Sequence, residues 1–277
     1  MTVDSKTTSE LAKAVAEITK NVPIYEDALQ PVMKQVGKSL GTIGGLINVA
    51  LAPVALMVHG YEMMQKKLES RLEEKLRDVE PATIIQPPLP VVGPLIERYR
   101  FVHDDPELAD MFENLLANAM DIATVKRAHP AFVQIISELS SEEAKLVKTI
   151  VSEPVLPKLD VSARAIGLKT PGLSAVLKNF TLLDEKAGIS SELIYSYISN
   201  LVRLGILNSR PGAIYTDQNY YEPLMKHKTL ASLGRMVASR EMELVVEKGI
   251  IEITAFGTLF MDAVLQKITP RPDKQKT

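Results

Sequence analysis

Apolar residues recur at intervals of three and four along most of the chain, which is the spacing that places them on one face of an α-helix. The stretch 61–80 carries a narrow apolar stripe within a highly charged sequence. The stretch 106–119 has a broad apolar face that follows a strong helix start at Asp105. A capping box formed by Ser140 and Glu143 predicts the start of another helix. The pattern therefore predicts a mainly α protein, with a bundle of helices at its N-terminal end.

The C-terminal third has a different pattern. An amphipathic helix is expected over 191–204, and Gly205 is placed to end it before a short strand. Two further apolar stretches flank Lys248 and Gly249, which predicts a β-hairpin with its turn at this pair. Thr254 is positioned to cap a final helix. Helix, short strand, hairpin and closing helix together predict a winged-helix-like α+β module.

Composition shifts along the chain predict its organisation. A run of prolines over 81–94 indicates a stiff, extended connector, and the polar, proline-containing C-terminus indicates disorder. The expected regions are an N-terminal helical region at 1–80, a central helical region at 81–155, a winged-helix-like module at 156–268 and a disordered tail at 269–277.

One segment stands apart from the rest. Residues 39–61 contain no Asp, Glu, Lys or Arg over 23 consecutive positions, which is long enough for a helix to cross a bilayer. Asn48, Pro53, His59 and four glycines oppose insertion. Three interpretations stay open: a buried core helix pair, a segment that enters a membrane only after activation, and a constitutive span. The residues expected to insert are Leu46, Ile47, Leu51, Val54, Leu56 and Val58.

A glycine stripe begins just before this segment and continues into it. Gly37, Gly41 and Gly45 recur every four residues and therefore share one helix face. Small residues at this spacing let two helix backbones approach closely, either within one molecule or between two. We expect the stripe to serve an intramolecular helix crossing or self-association.

The composition limits the kinds of catalytic and metal-binding chemistry that the chain can support. The chain has 277 residues and a net charge of −2. It contains no cysteine, and this absence excludes thiol catalysis, disulfides and zinc–thiolate sites. No phosphate-binding loop, nucleophile elbow or metalloprotease motif is present. Asn118, Asp121 and His129 are the polar group most worth weighing for acid–base chemistry, but helix ends explain them as well. We expect no enzyme activity, no metal and no cofactor.

Charge also bears on the winged-helix prediction. Residues 205–277 carry a net charge of only +2, and the expected recognition helix holds a single basic residue, Arg203. Because phosphate contacts by several Lys or Arg side chains supply most affinity for DNA, we do not expect nucleic-acid binding. The module is expected to contact protein instead, through Arg203, Arg210 and Lys248.

Several blocks carry a family resemblance. They read DDPELADMFENLLANAMD from residue 104, AHPAFVQII from residue 128, LSSEEAK from residue 139 and LVRLGIL from residue 201. Together with Leu51-Ala-Pro53 and Ile253-Thr-Ala-Phe-Gly257, they resemble the Abi-alpha family of abortive-infection proteins over residues 25–266.

The resemblance implies bacterial or prophage-encoded defence against phage, without catalytic residues to carry over. We hypothesise a cytoplasmic effector that exposes segment 39–61 on activation, relocates to a membrane, disrupts it like a pore-forming protein and self-associates. The expected partners are a partner defence protein or phage component, membrane lipids after activation and further copies of the chain. The alternatives are a non-membrane interaction or scaffold protein and a winged-helix transcriptional regulator.

Overall fold

The structure is a computed structural model that describes residues 62–166, 173–189 and 193–265. These residues form a mixed α+β fold. Among these described residues the backbone divides into two compact units, of which the first holds residues 62–103 and 112–133 and the second holds residues 104–111 and the described residues from 134 to 265. The predictions for segment 39–61, including its six insertion residues, for the glycine stripe Gly37, Gly41 and Gly45 and for the tail 269–277 lie outside the described residues.

The described elements follow one another in this order: α1 (Glu62–Lys75), α2 (Leu89–Val102), α3 (Pro106–Ala119), α4 (Ala131–Ser137), α5 (Ser141–Ile150), β1 (Val155–Ala165), β2 (Leu173–Phe180), α6 (Leu183–Ala187), α7 (Ile194–Arg203), β3 (Leu207–Pro211), α8 (Glu222–Met225), α9 (Lys228–Ala238), β4 (Met242–Ile253) and α10 (Ala255–Val264). Short 3-10 turns lie at Pro81–Thr83, Val125–Arg127 and Gln218–Tyr221. α3 and α4 contribute residues to both units.

The first unit confirms the narrow apolar stripe, which runs along α1 and ends at Leu76, directly after the helix. Met64, Leu68, Leu72 and Leu76 are at most 4% exposed, whereas the charged residues between them are mostly exposed. Burying four large side chains on one face is the main reason that such a charged sequence is held as a helix, because apolar burial contributes about 1.5–3 kcal/mol per side chain.

The extended connector expected over 81–94 is wrong for its second half, because α2 begins at Leu89. Pro90 lies in the first turn, where its missing N–H has no partner to lose. Pro94 lies further inside the helix and costs a backbone hydrogen bond. Burial of five apolar residues on one face of α2 offsets that cost; they are Val91, Val92, Leu95, Ile96 and Tyr99.

A buried polar network ties three helices of the first unit together. Glu113 on α3 is 3% exposed and accepts a 2.8 Å hydrogen bond from the Tyr99 hydroxyl on α2. Lys75, the last residue of α1, lies 3.7 Å from Glu113 and donates to Asn114 at 2.8 Å. Because a buried carboxylate is costly without partners, this network restricts which helix faces can meet.

The helix starts in the second unit agree with the sequence. Asp105 accepts hydrogen bonds from the backbone N–H groups of Glu107 and Leu108, and its other oxygen accepts from the Ser141 hydroxyl. Both halves of the Ser140–Glu143 capping box are formed. Burial raises the pKa of Asp105, but the hydrogen bonds from Ser141 and the two N–H groups outweigh it and leave that pKa below its usual value.

The second unit is built on a four-stranded antiparallel sheet with strand order β2-β1-β4-β3. β1 pairs with β4 along its full length, from Val155 opposite Glu252 to Ala165 opposite Met242. Alternate residues of β1 point to opposite faces. On one face Leu159 and Val161 enter an apolar core whose other members include Phe180, Tyr221, Leu224 and Leu230.

The hairpin predicted around Lys248 and Gly249 is wrong, because both residues lie inside the continuous strand β4. The wing of the winged-helix prediction is therefore absent from this position, and that architecture is not confirmed. Gly249 does not form a turn; it lets the Lys158 side chain and the backbone of Arg210 approach β4 closely. A Cβ there would lie 2.8 Å from Cε of Lys158 and 2.9 Å from the carbonyl oxygen of Arg210.

The side chain that Gly249 admits is a buried lysine. Lys158 is 2% exposed, and its Nζ donates to Oδ2 of Asp160 at 2.7 Å and to Oδ1 of Asn179 at 3.1 Å. The Asn179 backbone N–H donates to the other oxygen of Asp160 at 2.9 Å. Burial raises the pKa of Asp160, but this N–H and the Lys158 ammonium outweigh it, so that pKa lies below its usual value.

Asn179 also connects the two outer strands. It lies in an irregularity of the β1–β2 pairing and has φ of +56°, which asparagine tolerates better than most residues. Its side-chain oxygen accepts a 2.6 Å hydrogen bond from the Ser209 hydroxyl on β3. In a flat sheet the outer strands would be about 14 Å apart. The sheet is therefore curled around the polar group formed by Lys158, Asp160, Asn179 and Ser209, which we name the lysine cluster.

The close approach at Gly249 predicts a specific stability loss. We expect Gly249→Ala to lower the free energy of unfolding by about 1–3 kcal/mol, since the added methyl meets a buried side chain and a backbone carbonyl. The matched control is Gly234→Ala in α9, where the nearest heavy atom would lie 3.9 Å away. There alanine should stabilise by about 0.5–1 kcal/mol. Urea unfolding measures both, and equal effects would contradict the assigned role.

The lysine cluster predicts a pH dependence. Asp160→Asn leaves the buried ammonium without its carboxylate and should cost about 3–5 kcal/mol near neutral pH. Because the folded pKa of Asp160 is lowered, its contribution is complete above the unfolded pKa of about 3.9 and is lost as pH falls through the folded value. The difference in unfolding free energy between the wild type and Asp160→Asn should therefore shrink below about pH 4.

A double variant distinguishes the cost of leaving a buried charge unpaired from the cost of removing the ion pair altogether. Lys158→Met combined with Asp160→Leu removes both charges, and it should cost less than Asp160→Asn alone because no buried charge remains unpaired. A double variant as unstable as the sum of the single variants would show that the two side chains do not act as a pair.

Candidate functional site

A groove of about 780 Å³ lies on the second unit beside the start of β1. One wall is the segment Ser152–Pro157, a second is Thr181–Leu183 with Lys186, and the third is formed by residues between Tyr215 and Leu224. Three of the lining residues are prolines: Pro154, Pro157 and Pro223. The groove is therefore mainly apolar and poor in backbone N–H donors.

The groove exists because β2 is shorter than its neighbour. β4 pairs with β1 from Val155 onward, whereas β2 pairs with β1 only from Leu159. On the β2 side, residues 155–158 therefore have no strand partner within the described part of the chain. Thr181 follows β2 and the chain turns into α6, which leaves the gap open. The start of β1 is thus a half-edge, paired on one side only.

Hydrogen bonding shows which groups face the groove. The Pro154 carbonyl accepts from the Ile253 N–H on β4, and the Val155 carbonyl accepts a 2.8 Å bond from the Tyr215 hydroxyl. Since backbone groups alternate in direction along an antiparallel strand, Val155 and Pro157 direct their polar groups away from β4. Proline has no N–H, so Pro157 presents only a carbonyl there.

A tyrosine pair forms the most distinctive part of the lining. The rings of Tyr215 and Tyr220 stack with centroids 4.5 Å apart and planes 22° apart, and Tyr220 is 54% exposed. Tyr221 lies behind them, fully buried; its hydroxyl accepts from the Tyr215 backbone N–H at 3.1 Å and donates to the Gly249 carbonyl at 3.1 Å. Tyr221 thereby fixes the tyrosine segment to the middle of β4.

Charged side chains lie among the groove lining. Lys186 donates to both oxygens of Glu153 at 2.5–2.6 Å, and Asp217 accepts from the Asn219 N–H at 2.9 Å. The lining thus holds two carboxylates and one ammonium. Burial raises the pKa of Tyr215, and the neighbouring Tyr220, Tyr221 and Glu153 raise it further, so its hydroxyl remains a donor at neutral pH.

Of the three residues predicted to bind a partner, the two arginines each contact a carboxylate of this chain and do not line the groove. Arg203 donates to Glu138 at 2.6 Å and also to Asn200. Arg210 lies 3.4 Å from Glu252 across the β3–β4 pair. Both arginines remain more than half exposed, so contact with a partner stays a prediction.

Lys248 is the predicted residue that bears on the groove. It donates to the Gln218 side chain at 2.6 Å, and its Nζ lies 5.1 Å from the Tyr221 ring centroid. Gln218 in turn donates to the Tyr215 carbonyl at 2.9 Å. Lys248 therefore supports the segment that carries the tyrosines from behind.

The polar group weighed for catalysis has identifiable structural roles. The side-chain oxygen of Asp121 accepts from the Ala123 N–H, and Asn118 donates to the Asn114 carbonyl. Nδ1 of His129 accepts from the Ala131 N–H at the start of α4. These bonds are those of helix ends and turns, as the sequence suggested.

A carboxyl group that the sequence did not single out lies beside the groove wall. Asp184 is 5% exposed, and burial raises its pKa, with the neighbouring Glu185 adding to the shift. Nδ1 of His227 accepts the Thr229 N–H, so the ring proton lies on Nε2, 3.2 Å from Glu185. The Phe180 ring packs against His227 at 5.4 Å. His227 thus packs against Phe180, a member of the apolar core, and interacts electrostatically with the buried carboxyl of Asp184.

Sequence reasoning missed the groove tyrosines. Tyr215, Tyr220 and Tyr221 lie between β3 and α8, in a stretch with no helical or strand period. Three of the chain's eight tyrosines occur within these seven residues, and that clustering was the available signal. Among the described residues, no helix is both long and apolar enough to cross a membrane, and no group of three or more His, Cys, Asp or Glu side chains could hold a metal ion.

Residues 60–264 match the family model described as abortive infection alpha, so the chain belongs to that family, as the resemblance predicted. The family implies a role in abortive infection, which is a form of phage defence. No curated protein matches the chain.

One solved structure shows a weak similarity. It is an uncharacterized protein from the hydrocarbon-degrading marine bacterium Alcanivorax borkumensis SK2, with 13% identity and a TM-score of 0.36. The alignment covers 53% of this chain and 99% of that one.

The groove geometry predicts that the Tyr215 hydroxyl stabilises the second unit. Tyr215→Phe removes the bond to the Val155 carbonyl and should lower the free energy of unfolding by about 1 kcal/mol. Tyr220→Phe is the matched control; that ring is largely exposed, so a change below about 0.5 kcal/mol is expected. Both are measured by urea unfolding. A larger loss in Tyr220→Phe would overturn the assigned geometry.

Proposed function

We propose that this member of the abortive infection alpha family is a non-enzymatic effector of phage defence. In this proposal segment 39–61 remains covered by protein in the resting state. A trigger, from a partner defence protein or a phage component, binds one conformation better than the other and shifts the population toward exposure of the segment. The exposed segment then enters a membrane and disrupts it.

The observation that carries the proposal is the uncharged stretch itself, in a family that implies abortive infection. The chain is 24% charged, yet 23 consecutive residues carry no formal charge. Transfer of such a stretch into lipid becomes favourable only if helix formation satisfies its backbone groups. Gly37, Gly41 and Gly45 would allow close helix contacts after insertion, so self-association is part of the proposal.

The same proposal assigns a location and a receiving surface. The protein would remain in the cytoplasm before infection and relocate to the membrane afterwards. The second unit would receive the trigger, and the groove beside β1 supports this assignment because it joins a stacked tyrosine pair to a half-edge. No cofactor, metal or catalytic residue enters the proposal.

The second candidate is a non-membrane interaction or scaffold protein, in which segment 39–61 is only core. The groove supports this candidate equally well. The winged-helix regulator has lost support, because β4 runs straight through the position expected for the wing. Arg203, the basic residue of the expected recognition helix, is engaged by Glu138.

The membrane step predicts a charge-sensitive activity. Purified full-length protein should release dye from anionic liposomes once activated with lysate of infected cells, and Leu46→Lys or Val54→Asp should reduce leakage about tenfold or more, because a charge within the lipid core costs about 2.5–3.5 kcal/mol. Ser70→Lys, on the exposed face of α1, is the matched control and should leave leakage unchanged.

Phage plating separates the two candidates. If the inserting effector is correct, Leu46→Lys and Val54→Asp should lose protection while the protein remains folded by circular dichroism. Retained protection, with the wild-type protein staying in the cytosolic fraction throughout infection, would reject membrane insertion in favour of the scaffold.

A further inference from the structure

We propose that the groove beside β1 binds a proline-rich, arginine-containing segment of a partner protein in the extended polyproline II conformation. The inference rests on the proposed function, in that it gives the chemistry of the trigger that the second unit receives. The occupant follows from three properties of the groove: its shortage of backbone N–H donors, its stacked tyrosines and its charge.

The shortage of free backbone hydrogen-bonding groups disfavours an added β-strand. A strand that paired with the half-edge of β1 would need alternating donors and acceptors along residues 155–158. Pro157 has no N–H, and the Val155 carbonyl is already occupied by the Tyr215 hydroxyl. A polyproline II segment makes no regular backbone ladder, so it loses little at such a surface.

The tyrosines supply the contact area that such a segment uses. Tyr220 is 54% exposed and is held flat against Tyr215, which is fixed in turn by its bonds to Val155 and Tyr221. A rigid aromatic surface binds the ring faces of proline with little loss of side-chain entropy. The stack, together with Val155 and Pro223, forms the apolar floor against which successive prolines would pack.

The charge of the groove lining determines which residue is favoured beside the proline run of the bound segment. Lys186 neutralises Glu153 at one wall of the groove, whereas the carboxylate of Asp217 is engaged by a backbone N–H near the tyrosines. The lining therefore carries a net charge of −1 from these three side chains. An arginine beside the proline run would complement that charge, and an acidic residue there would be repelled.

The test uses full-length protein and fluorescence anisotropy with the labelled peptide RPPVPPVR. We expect saturable binding, with RAAVAAVR weaker by at least about fivefold because it lacks the preformed conformation. EPPVPPVE should also bind at least about threefold more weakly, since its carboxylates have the same sign of charge as the groove lining and are repelled by it. Equal binding of all three peptides, or no saturable binding of the first, would overturn the proposal.

Variants locate the binding. Tyr220→Ala should weaken the binding of RPPVPPVR at least about fivefold, and Asp217→Asn should weaken it about two- to fivefold. The matched control is Leu259→Ala on α10, which removes an equally exposed side chain outside the groove lining and should leave binding unchanged. Since both target side chains are exposed, circular dichroism should show that the variants remain folded.

Two outcomes would assign the groove to another occupant. If Pro270→Ala with Pro272→Ala strengthened probe binding about fivefold or more, the groove would belong to the chain's own tail. If the peptide dissociated a dimer in sedimentation velocity, it would belong to a second copy. Either result overturns the partner assignment. The assay contains neither phage nor membrane, so a failure here leaves the membrane-effector proposal to its own test.

Discussion

The buried ammonium group of Lys158 determines the form of the second unit. A charge at this depth is tolerated only with nearly complete hydrogen bonding, and Asp160 and Asn179 provide it. Asn179 also accepts from Ser209 on the far strand, so satisfying one lysine brings both outer strands of the sheet together. The curvature of the sheet is therefore a consequence of electrostatics as much as of strand twist, and an apolar residue at position 158 would remove the reason for the closure.

The groove depends on this closure through β4. Gly249 lies opposite Lys158, where it leaves room for the side chain, and its carbonyl accepts from the hydroxyl of Tyr221. Tyr221 in turn holds the backbone of Tyr215, which presents the stacked ring to solvent. A change in the lysine cluster would thus reach the groove surface through a short series of direct contacts. This connection gives the second unit a physical route by which occupancy of the groove and strand pairing could influence each other.

Local sequence signals proved reliable where a single local interaction decides the structure. The caps at Asp105, Ser140 and Thr254 and the left-handed Gly205 were all identifiable, because each satisfies backbone groups within a few residues of itself. The same kind of signal failed where residues far apart in the sequence determine the structure. Glycine after Lys248 indicates a turn by local rules, yet it is required by Lys158, which lies some ninety residues earlier in the chain. The prolines before Leu95 likewise indicate an extended segment, but burial of one helix face outweighs them. The groove depends on where β2 stops relative to β1, which no local pattern encodes.

Pro157 and the Tyr215 hydroxyl have a further effect at the half-edge of β1. An unpaired strand edge invites strands from other molecules, and such pairing is the first step of aggregation. Here Pro157 lacks an N–H donor and the Tyr215 hydroxyl occupies the Val155 carbonyl, so the edge offers fewer groups for continuing the ladder into another chain. The apolar groove therefore lies beside a strand edge that is a poor template for pairing with other chains. The two residues that protect this edge, Pro157 and Tyr215, also line the groove, so the same side chains shape the groove and limit pairing at its border.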